Sequence, residues 1–587
     1  MTTNAGFNRF APRAAGAVGP NRWDVLLLPL VIGTLFLITW GSGKMNAPYV
    51  LGTPIPISLE PGNLPEYALR TTLRMTLAML GSLAFALLYG SLAAKSVAAG
   101  RVLIPLLDIL QSIPILGFLS ISVVGFVRLF PGSMLGPELA AVFAIFTSQA
   151  WNLTFSYYAS LRMVPRDLYE VSRMLKLSPW QQFFRLEAPY AMPGLIWNMM
   201  MSVAGGWFFV VASEAITVDN MSIQLPGIGS YIALAIRSED LPAVGYAILA
   251  MFIVILATDQ LLFRPLVAWG ERFKFEFTEN QRPPRSWFLS LLRRAQFTRM
   301  FLAAVMRGMV VVQLVSALLA SRQARQAFAW PRRLRWSVDG ALLDRYWNAL
   351  VVMAAAASTF ALIRFVHAAV SFQEVGQVLL LGLITGARVL LLVALASLLW
   401  VPIGIWIGLN PRIGQPAQPI VVLLAAFPAN LFFPVAISAI VGFHLDPEIW
   451  LSPLMILGTQ WYILFNVVSA AAALPSDLQE AAANIGLRGG MRWTRLLLPS
   501  VFPSYVTGAV TASGGAWNAS VVSELVNWGS TSLSATGLGA YIATQTAAGD
   551  YPRVALGVVV MSLYVVLFNR VVWKRLYMMA EQRFSFV

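Results

Sequence analysis

Glu480-Ala481-Ala482-Ala483-Asn484-Ile485-Gly486, followed nine residues later by Leu496-Leu497-Leu498-Pro499, orders the rest of this sequence. The three alanines favour a short helix whose small side chains let another protein approach closely. Gly486 permits a turn with no Cβ penalty, and Pro499 can begin a following helix because the N–H it lacks is not needed there. The same frame stands 310 residues earlier, as Glu170-Val171-Ser172-Arg173-Met174-Leu175-Lys176 ending at Leu186-Glu187-Ala188-Pro189.

Working outward, the two halves of the chain stay in register. Pro165 and Asp167 meet Pro475 and Asp477, Trp207 meets Trp517, and Ser213-Glu214 meets Ser523-Glu524. Gly227-Ile228-Gly229 meets Gly537-Leu538-Gly539. Upstream the offset becomes 314, pairing Arg74 with Arg388 and Pro114 with Pro428. A period this long means two copies of a whole domain. Shared apolar composition does not place charged and aromatic residues in register, so duplication is the reading.

Hydrophobic residues make up 58% of the chain and charged residues 11%, with mean hydropathy +0.70. This composition marks an all-α integral membrane protein. There are no cysteines, which excludes disulfides and thiolate metal sites; the two histidines, His367 and His444, have no ligand-like neighbours. The net charge of +15 needs no nucleic acid to explain it, because basic residues gather in cytoplasmic loops of membrane proteins.

Six apolar stretches per half are long enough to span, near 24–40, 67–94, 102–127, 138–160, 190–216 and 242–268, then 346–368, 378–408, 416–443, 448–472, 500–526 and 552–573. The expectation is two tandem parallel six-helix repeats with about 12 transmembrane helices. Lys95, Arg101, Arg162, Arg166, Arg173, Lys176 and Arg185 fall on one side together with the basic N-terminal tail, which puts both termini in the cytoplasm. The expected units are a cytoplasmic tail 1–22, a first domain 23–273, a basic linker 274–340 and a second domain 341–587. Residues 272–345 carry fourteen Lys or Arg against four Asp or Glu. Within them Phe301–Ala320 is apolar but contains Arg307, costly at a helix centre. We expect an interfacial helix there, its basic flanks meeting anionic membrane lipid.

The Glu480–Pro499 stretch resembles the EAA loop of binding-protein-dependent ABC importer permeases, E-A-A-x3-G-x9-I-x-L-P, and only Leu496 departs from it. The duplicated small-Glu pair and Gly-x-Gly loop resemble, within that group, the nitrate–sulfonate–taurine permeases. The resemblance implies a type I importer permease of the bacterial inner membrane with both permease domains fused. It implies a solute-binding protein outside and a cytoplasmic ATPase dimer inside that holds the ATP and magnesium; no cofactor is expected on this chain. Glu170, Lys176, Pro189, Glu480, Ala481, Ala482, Gly486 and Pro499 then form the ATPase-coupling loops, with Lys176 stiffening the first loop and adding charge. Gly41-Ser42-Gly43-Lys44-Met45 resembles the end of a phosphate loop, but it lacks the first glycine and has Met45 where Ser or Thr would bind magnesium.

Candidates for the substrate pathway are Gln149, Trp151, Asn152, Trp207, Gln460, Trp461, Trp517 and Asn518, whose amides and indoles can hydrogen-bond an anion. Arg74 and Arg388 add a positive lining, or else pair with Glu214 and Glu524. Helix packing and interfacial anchoring compete as explanations for all of these. A secondary transporter built from parallel repeats is the alternative function. It expects an intramembrane acid–base relay and leaves the Glu480–Pro499 stretch unexplained. No residue cluster suits an enzyme.

If Phe301–Ala320 stays on one side, Ser290→Cys and Trp330→Cys will both react with an impermeant maleimide in inverted vesicles and neither in intact cells. Opposite sidedness would reveal a thirteenth span.

Overall fold

The computed structural model describes residues 21–45, 47–49, 55–218, 221–273, 286–296 and 340–584. The expected interfacial helix at Phe301–Ala320 lies outside them. The first half runs α1 (Arg22–Met45), α2 (Leu64–Lys95), α3 (Val97–Ser112), α4 (Ile115–Leu129), α5 (Leu135–Met163), α6 (Arg166–Met174) and α7 (Ala188–Glu214). It continues through the hairpin β1 (Ala215–Val218) and β2 (Met221–Gln224), α8 (Ile228–Arg237), α9 (Leu241–Thr258) and α10 (Arg264–Gly270). After α11 (Trp287–Arg294), the second half repeats this order as α12 (Gly340–His367), α13 (Phe372–Leu409), α14 (Pro411–Ala426), α15 (Phe433–Gly442), α16 (Gln460–Ala472), α17 (Ser476–Asn484) and α18 (Leu498–Ser523). Then come β3 (Leu525–Trp528), β4 (Thr531–Ser534), α19 (Leu538–Ala548), α20 (Tyr551–Phe568) and α21 (Lys574–Phe584). Among the described residues the two hairpins, each of two four-residue strands, are the only named sheets.

Among the described residues eight helices are long and apolar enough to cross a membrane, and two bent pairs raise the number to ten. The bends are 75° between Ile420–Ala426 and Ala429–Gly442, and 43° between Pro447–Leu457 and Gln460–Ala472. Two of the twelve expected spans remain. The stretch 102–127 is broken between α3 and α4 at Ile113-Pro114, the register twin of the Phe427-Pro428 break, because proline disfavours helix in the residue before it. The other is α5, long enough to span, whose apolar run is diluted by Thr147, Ser148, Gln149, Asn152 and Thr154. The first helix of each half is peripheral: only 11% of the apolar window of α1 is buried, and none of the window in α12.

The halves exchange helices. Ile115, Leu116, Leu119 and Val123 of α4 pack into the second half's core, beside Trp517, Val521, Leu538 and Val560. In return Ala426 and Leu431 enter the first half's core with Trp207, Tyr231 and Val244. At the hairpin end the Gly529 N–H donates to the Ile236 carbonyl across the halves at 3.1 Å.

One ion cluster per half fixes the hairpin end. Glu214, fully buried at the end of α7, accepts from Thr71 Oγ1, Arg74 Nη1 and the Gly229 N–H, each at 2.7 Å. Arg74 also donates to both oxygens of Glu138, at 2.5 and 2.7 Å, and Arg70 adds a bond to Glu138 at 2.9 Å. The register twins repeat the plan: Glu524 accepts from Thr385 at 2.8 Å and from the Gly539 N–H at 2.7 Å, while Arg388 pairs with Glu448 and lies 3.6 Å from Glu524. Gly227 and Gly537 approach these carboxylates so closely that a Cβ at either position would collide with them.

The two clusters differ in water. Arg70, Arg74, Glu138 and Glu214 are two cations and two anions, with no side chain more than 6% exposed. Arg388, Glu448 and Glu524 carry one excess negative charge, but the Glu448 side chain is 44% exposed, where solvent screens it. Removing one partner of a buried pair costs about 3–5 kcal/mol, against about 0–1 kcal/mol at an exposed one. Glu138→Gln will therefore lower the thermal unfolding midpoint in detergent far more than Glu448→Gln. Equal shifts would show that the first cluster is hydrated.

Candidate translocation cavity and coupling helices

A cavity of about 250 Å³ lies between the halves. It is lined from the first half by the α3/α4 break, α5 and α7, and from the second by the α14 end, the segment before α16, and α18. Both members of several register pairs line it, including Ile115 with Ala429, Asn152 with Tyr462, Gly205 with Gly515, and Phe208 with Asn518. Its polar groups are the amides of Gln111, Asn152 and Asn518 and the hydroxyls of Thr147, Ser148, Thr459, Tyr462 and Thr511. No charged side chain is among the lining residues. The wall therefore offers hydrogen bonds and aromatic edges without a fixed counter-charge, which suits passage better than tight retention.

Of the residues expected on the pathway, Trp151, Asn152 and Asn518 line this cavity. Asn152 donates to Ser202 at 3.0 Å, and Asn518 accepts from the Ile115 N–H at 2.9 Å, holding the first turn of α4. The others lie elsewhere. Gln149 is fully buried and its amide meets Met75 Sδ at 3.0 Å. Trp207 and Trp517 are core side chains at 1% and 2% exposure. Gln460 accepts from Trp400 Nε1 at 2.9 Å, and the Trp461 ring lies 5.0 Å from that of Trp400, so both pack against α13. Arg74 and Arg388 are held in the ion clusters, because an arginine in hydrocarbon is cheapest beside a carboxylate.

Sequence reasoning passed over Gln111, Thr147, Ser148, Thr459, Tyr462 and Thr511. The Pro114–Pro428 register pair was their signal, since both helix breaks open onto the cavity. It also passed over Glu138 and Glu448, themselves 310 residues apart and each the carboxylate that holds its half's arginine.

At the opposite end from the hairpins, α6 and α17 are nine-residue helices, each preceded by a proline, Pro165 or Pro475. Ser172 and its twin Ala482 are buried against the body. Glu170, Val171, Glu480 and Ala481 face outward, and Leu175 and Ile485 are 67% and 74% exposed. An outward apolar residue beside a carboxylate fits a docking surface. Burial, with the nearby Glu187 carboxylate adding to it, pushes the Tyr169 phenol above its ordinary value.

Both helices end in one turn. Lys176 has φ 50° and Gly486 φ 74°, and the Leu177 and Leu487 N–H groups reach back to the Ser172 and Ala482 carbonyls at 3.1 and 2.9 Å. The lysine thus adopts the glycine's left-handed backbone, so the two loops share a path and differ in side-chain chemistry. Beyond the turn, Phe183–Glu187 and Trp493–Leu497 form matching π-turns directly before Pro189 and Pro499. The Ala188 and Leu498 N–H groups bond five residues back, to Phe183 and Trp493. The wider turn gives the proline ring space it lacks inside an α-helix, and α7 and α18 continue through it.

The family model for a binding-protein-dependent transport system inner membrane component matches this chain twice, at residues 86–263 and 400–578. The nitrate import permease protein NrtB of Synechocystis sp. is 26% identical over 252 residues, 40% of this chain and 86% of that one. The bicarbonate transport system permease protein CmpB of Synechococcus elongatus is 24% identical over 276 residues, 43% of this chain and 93% of that one. The putative aliphatic sulfonates transport permease protein SsuC of Bacillus subtilis is 26% identical over 258 residues, 42% of this chain and 88% of that one. Each relative spans less than half of this chain while covering most of its own length, as a single copy of a duplicated unit does.

A side chain in the left-handed region costs about 1–2 kcal/mol. Lys176→Gly should raise the unfolding midpoint, and Gly486→Ala should lower it by a comparable amount. A destabilised Lys176→Gly would mean that the lysine side chain contributes more than its backbone costs.

Proposed function

This chain belongs to the family of binding-protein-dependent transport system inner membrane components, multi-pass permeases of ABC importers, and on that premise we propose that it builds the whole membrane pathway for a small oxyanion. Nitrate, bicarbonate and sulfonates such as taurine are the substrate class, by similarity to the relatives' transport roles. The observation that carries the reading is the uncharged, amide- and hydroxyl-lined cavity to which both halves contribute register twins. Such a wall can hydrogen-bond an oxyanion and release it, while selection is left to a solute-binding protein at the hairpin end.

The end bearing α6 and α17 faces the cytoplasm, and so do both termini, because Arg22, Lys95, Arg166, Arg173, Lys176 and Arg185 gather there. Permease units 23–273 and 341–587 each present one coupling helix to an ATPase subunit, which holds the ATP and magnesium. Nucleotide-driven closure of the ATPase pair moves α6 and α17, and the continuous helices through the π-turns carry that motion to α7 and α18 at the cavity. A proton-coupled carrier is disfavoured: Glu138, Glu214 and Glu524 are committed to ion clusters away from the cavity lining.

The purified chain should hydrolyse no ATP, and labelled anion should enter vesicles only when the ATPase and the binding protein are both present. ATP turnover by the chain alone would sink the reading. Charge reversal at a docking carboxylate costs about 2 kcal/mol or more, roughly thirtyfold in attachment. Glu480→Lys should show that loss, and Glu170→Lys a smaller one, because Arg166, Arg173 and Lys176 already make the α6 face basic. Equal losses would overturn the asymmetry.

A further inference from the structure

Lys95, the last residue of α2, pairs with Glu187, the last residue of the first π-turn, at 2.8 Å. The Glu187 side chain is fully buried, and its other oxygen accepts from Gln182 at 3.2 Å. No step of transport derived above uses this carboxylate. The register twins, at the last residue of α13 and of the second π-turn, are Leu409 and Leu497. Both belong to the apolar core of the second half. One half thus has an ion pair where the other has two leucines.

The contrast extends along the helices. At their hairpin ends α2 and α7 are already tied by Thr71 and Arg74 to Glu214. With Lys95–Glu187 they are tied at both ends by charged groups. The second-half pair, α13 and α18, has the Thr385–Glu524 bond and the longer Arg388 contact at one end, a neutral Tyr505–Ser397 hydrogen bond at 3.1 Å part-way along, and leucines at the other end. An ion pair and an apolar pair of similar volume are close to equal in stability. They differ in what they permit: the attraction between Lys95 and the buried Glu187 carboxylate holds two helix ends together, whereas leucines slide past each other at little cost.

We infer that Glu187 is a positioning residue of the first coupling helix, making α2 and α7 respond to α6 as one body while α13 and α18 shear against each other. This rests on the reading of α6 as the ATPase-facing helix. The two halves then take unequal parts in each cycle, and the coupling stroke reaches the first cluster through two helices and the second through one.

The natural absence of cysteine makes the test direct. Spin labels at Leu92→Cys and Met174→Cys, both exposed, report the α2–α6 separation in the chain alone in nanodiscs. Labels at their register twins, Trp406→Cys and Asn484→Cys, report the same span in the second half. The expected result is a narrower distance distribution for the first pair. Lys95→Leu with Glu187→Leu, which copies the second half, should broaden it to match while leaving the unfolding midpoint unchanged. Salt should also broaden it in the unmodified pair only, as the screening length falls from about 10 Å at 0.1 M to about 3 Å at 1 M. If the double variant does not fold, Glu187→Gln keeps the shape and the Gln182 contact and should broaden the distribution by itself. An unchanged width in the variant that folds overturns the inference. No ATPase is needed for this measurement, so its failure is separate from failure of the transport reading. In the reconstituted complex the folded variant should hydrolyse more ATP per anion carried; a broadened distance with unaltered stoichiometry would refute the coupling role alone.

Discussion

A carboxylate taken out of water has to be neutralised where it stands, and in each half of this permease that requirement organises a whole end of the bundle. Glu214 is reached by a hydroxyl, a guanidinium and a backbone N–H, so one side chain determines where α2, α7 and the Gly227–Gly229 loop meet. The loop carries glycine because a side chain there would occupy the carboxylate's own space. The Glu214 backbone carbonyl also accepts from the Leu225 N–H at 2.8 Å and the Ser230 hydroxyl at 2.6 Å. The hairpin follows from that closure. The dry cluster is charge-balanced and the unbalanced one is wet, as the cost of stranding charge in a low-dielectric interior requires.

Duplication, membrane class and the paired short helices α6 and α17 were legible because each rests on a pattern that survives without coordinates: register, apolar length, and a motif of fixed spacing. The pathway was only partly legible. Trp207 and Trp517 repeat because they fill equivalent cores, and a register match cannot separate a packing role from a transport role. Arg74 and Arg388 could be seen to want carboxylates, but Glu138 and Glu448 open their helices and read there as ordinary first-turn acids. The helix breaks were visible as a proline pair, yet nothing local says that a break opens onto a cavity. Lys176 is a different case: it stands where the second loop has glycine, yet the closing hydrogen bonds hold the lysine in the glycine's conformation, which residue type alone does not announce.

The pseudo-symmetry is one of backbone more than of chemistry. Asn518 holds the first turn of α4 with its side-chain oxygen, and its twin Phe208 cannot. In the reciprocal contact the donor comes from the other side: the Asn430 side chain gives a hydrogen bond at 3.2 Å to the Phe208 carbonyl. An amide has moved from one partner to the other while a link across the halves is kept. The cavity therefore presents different groups on its two sides, although every lining segment has a twin.

The exchange of α4 for the 426–431 segment also sets an order on biosynthesis. When the first 273 residues have left the ribosome, the core around Trp207 still lacks Ala426 and Leu431, and α4 has no second half to enter. Neither copy is a complete folding unit. Two separate chains would have to meet in the bilayer to close both cores, a second-order event; here the missing piece arrives on the same polypeptide, at a local concentration set by the connection. Until translation passes residue 431, the first half has helix faces that its own sequence does not cover.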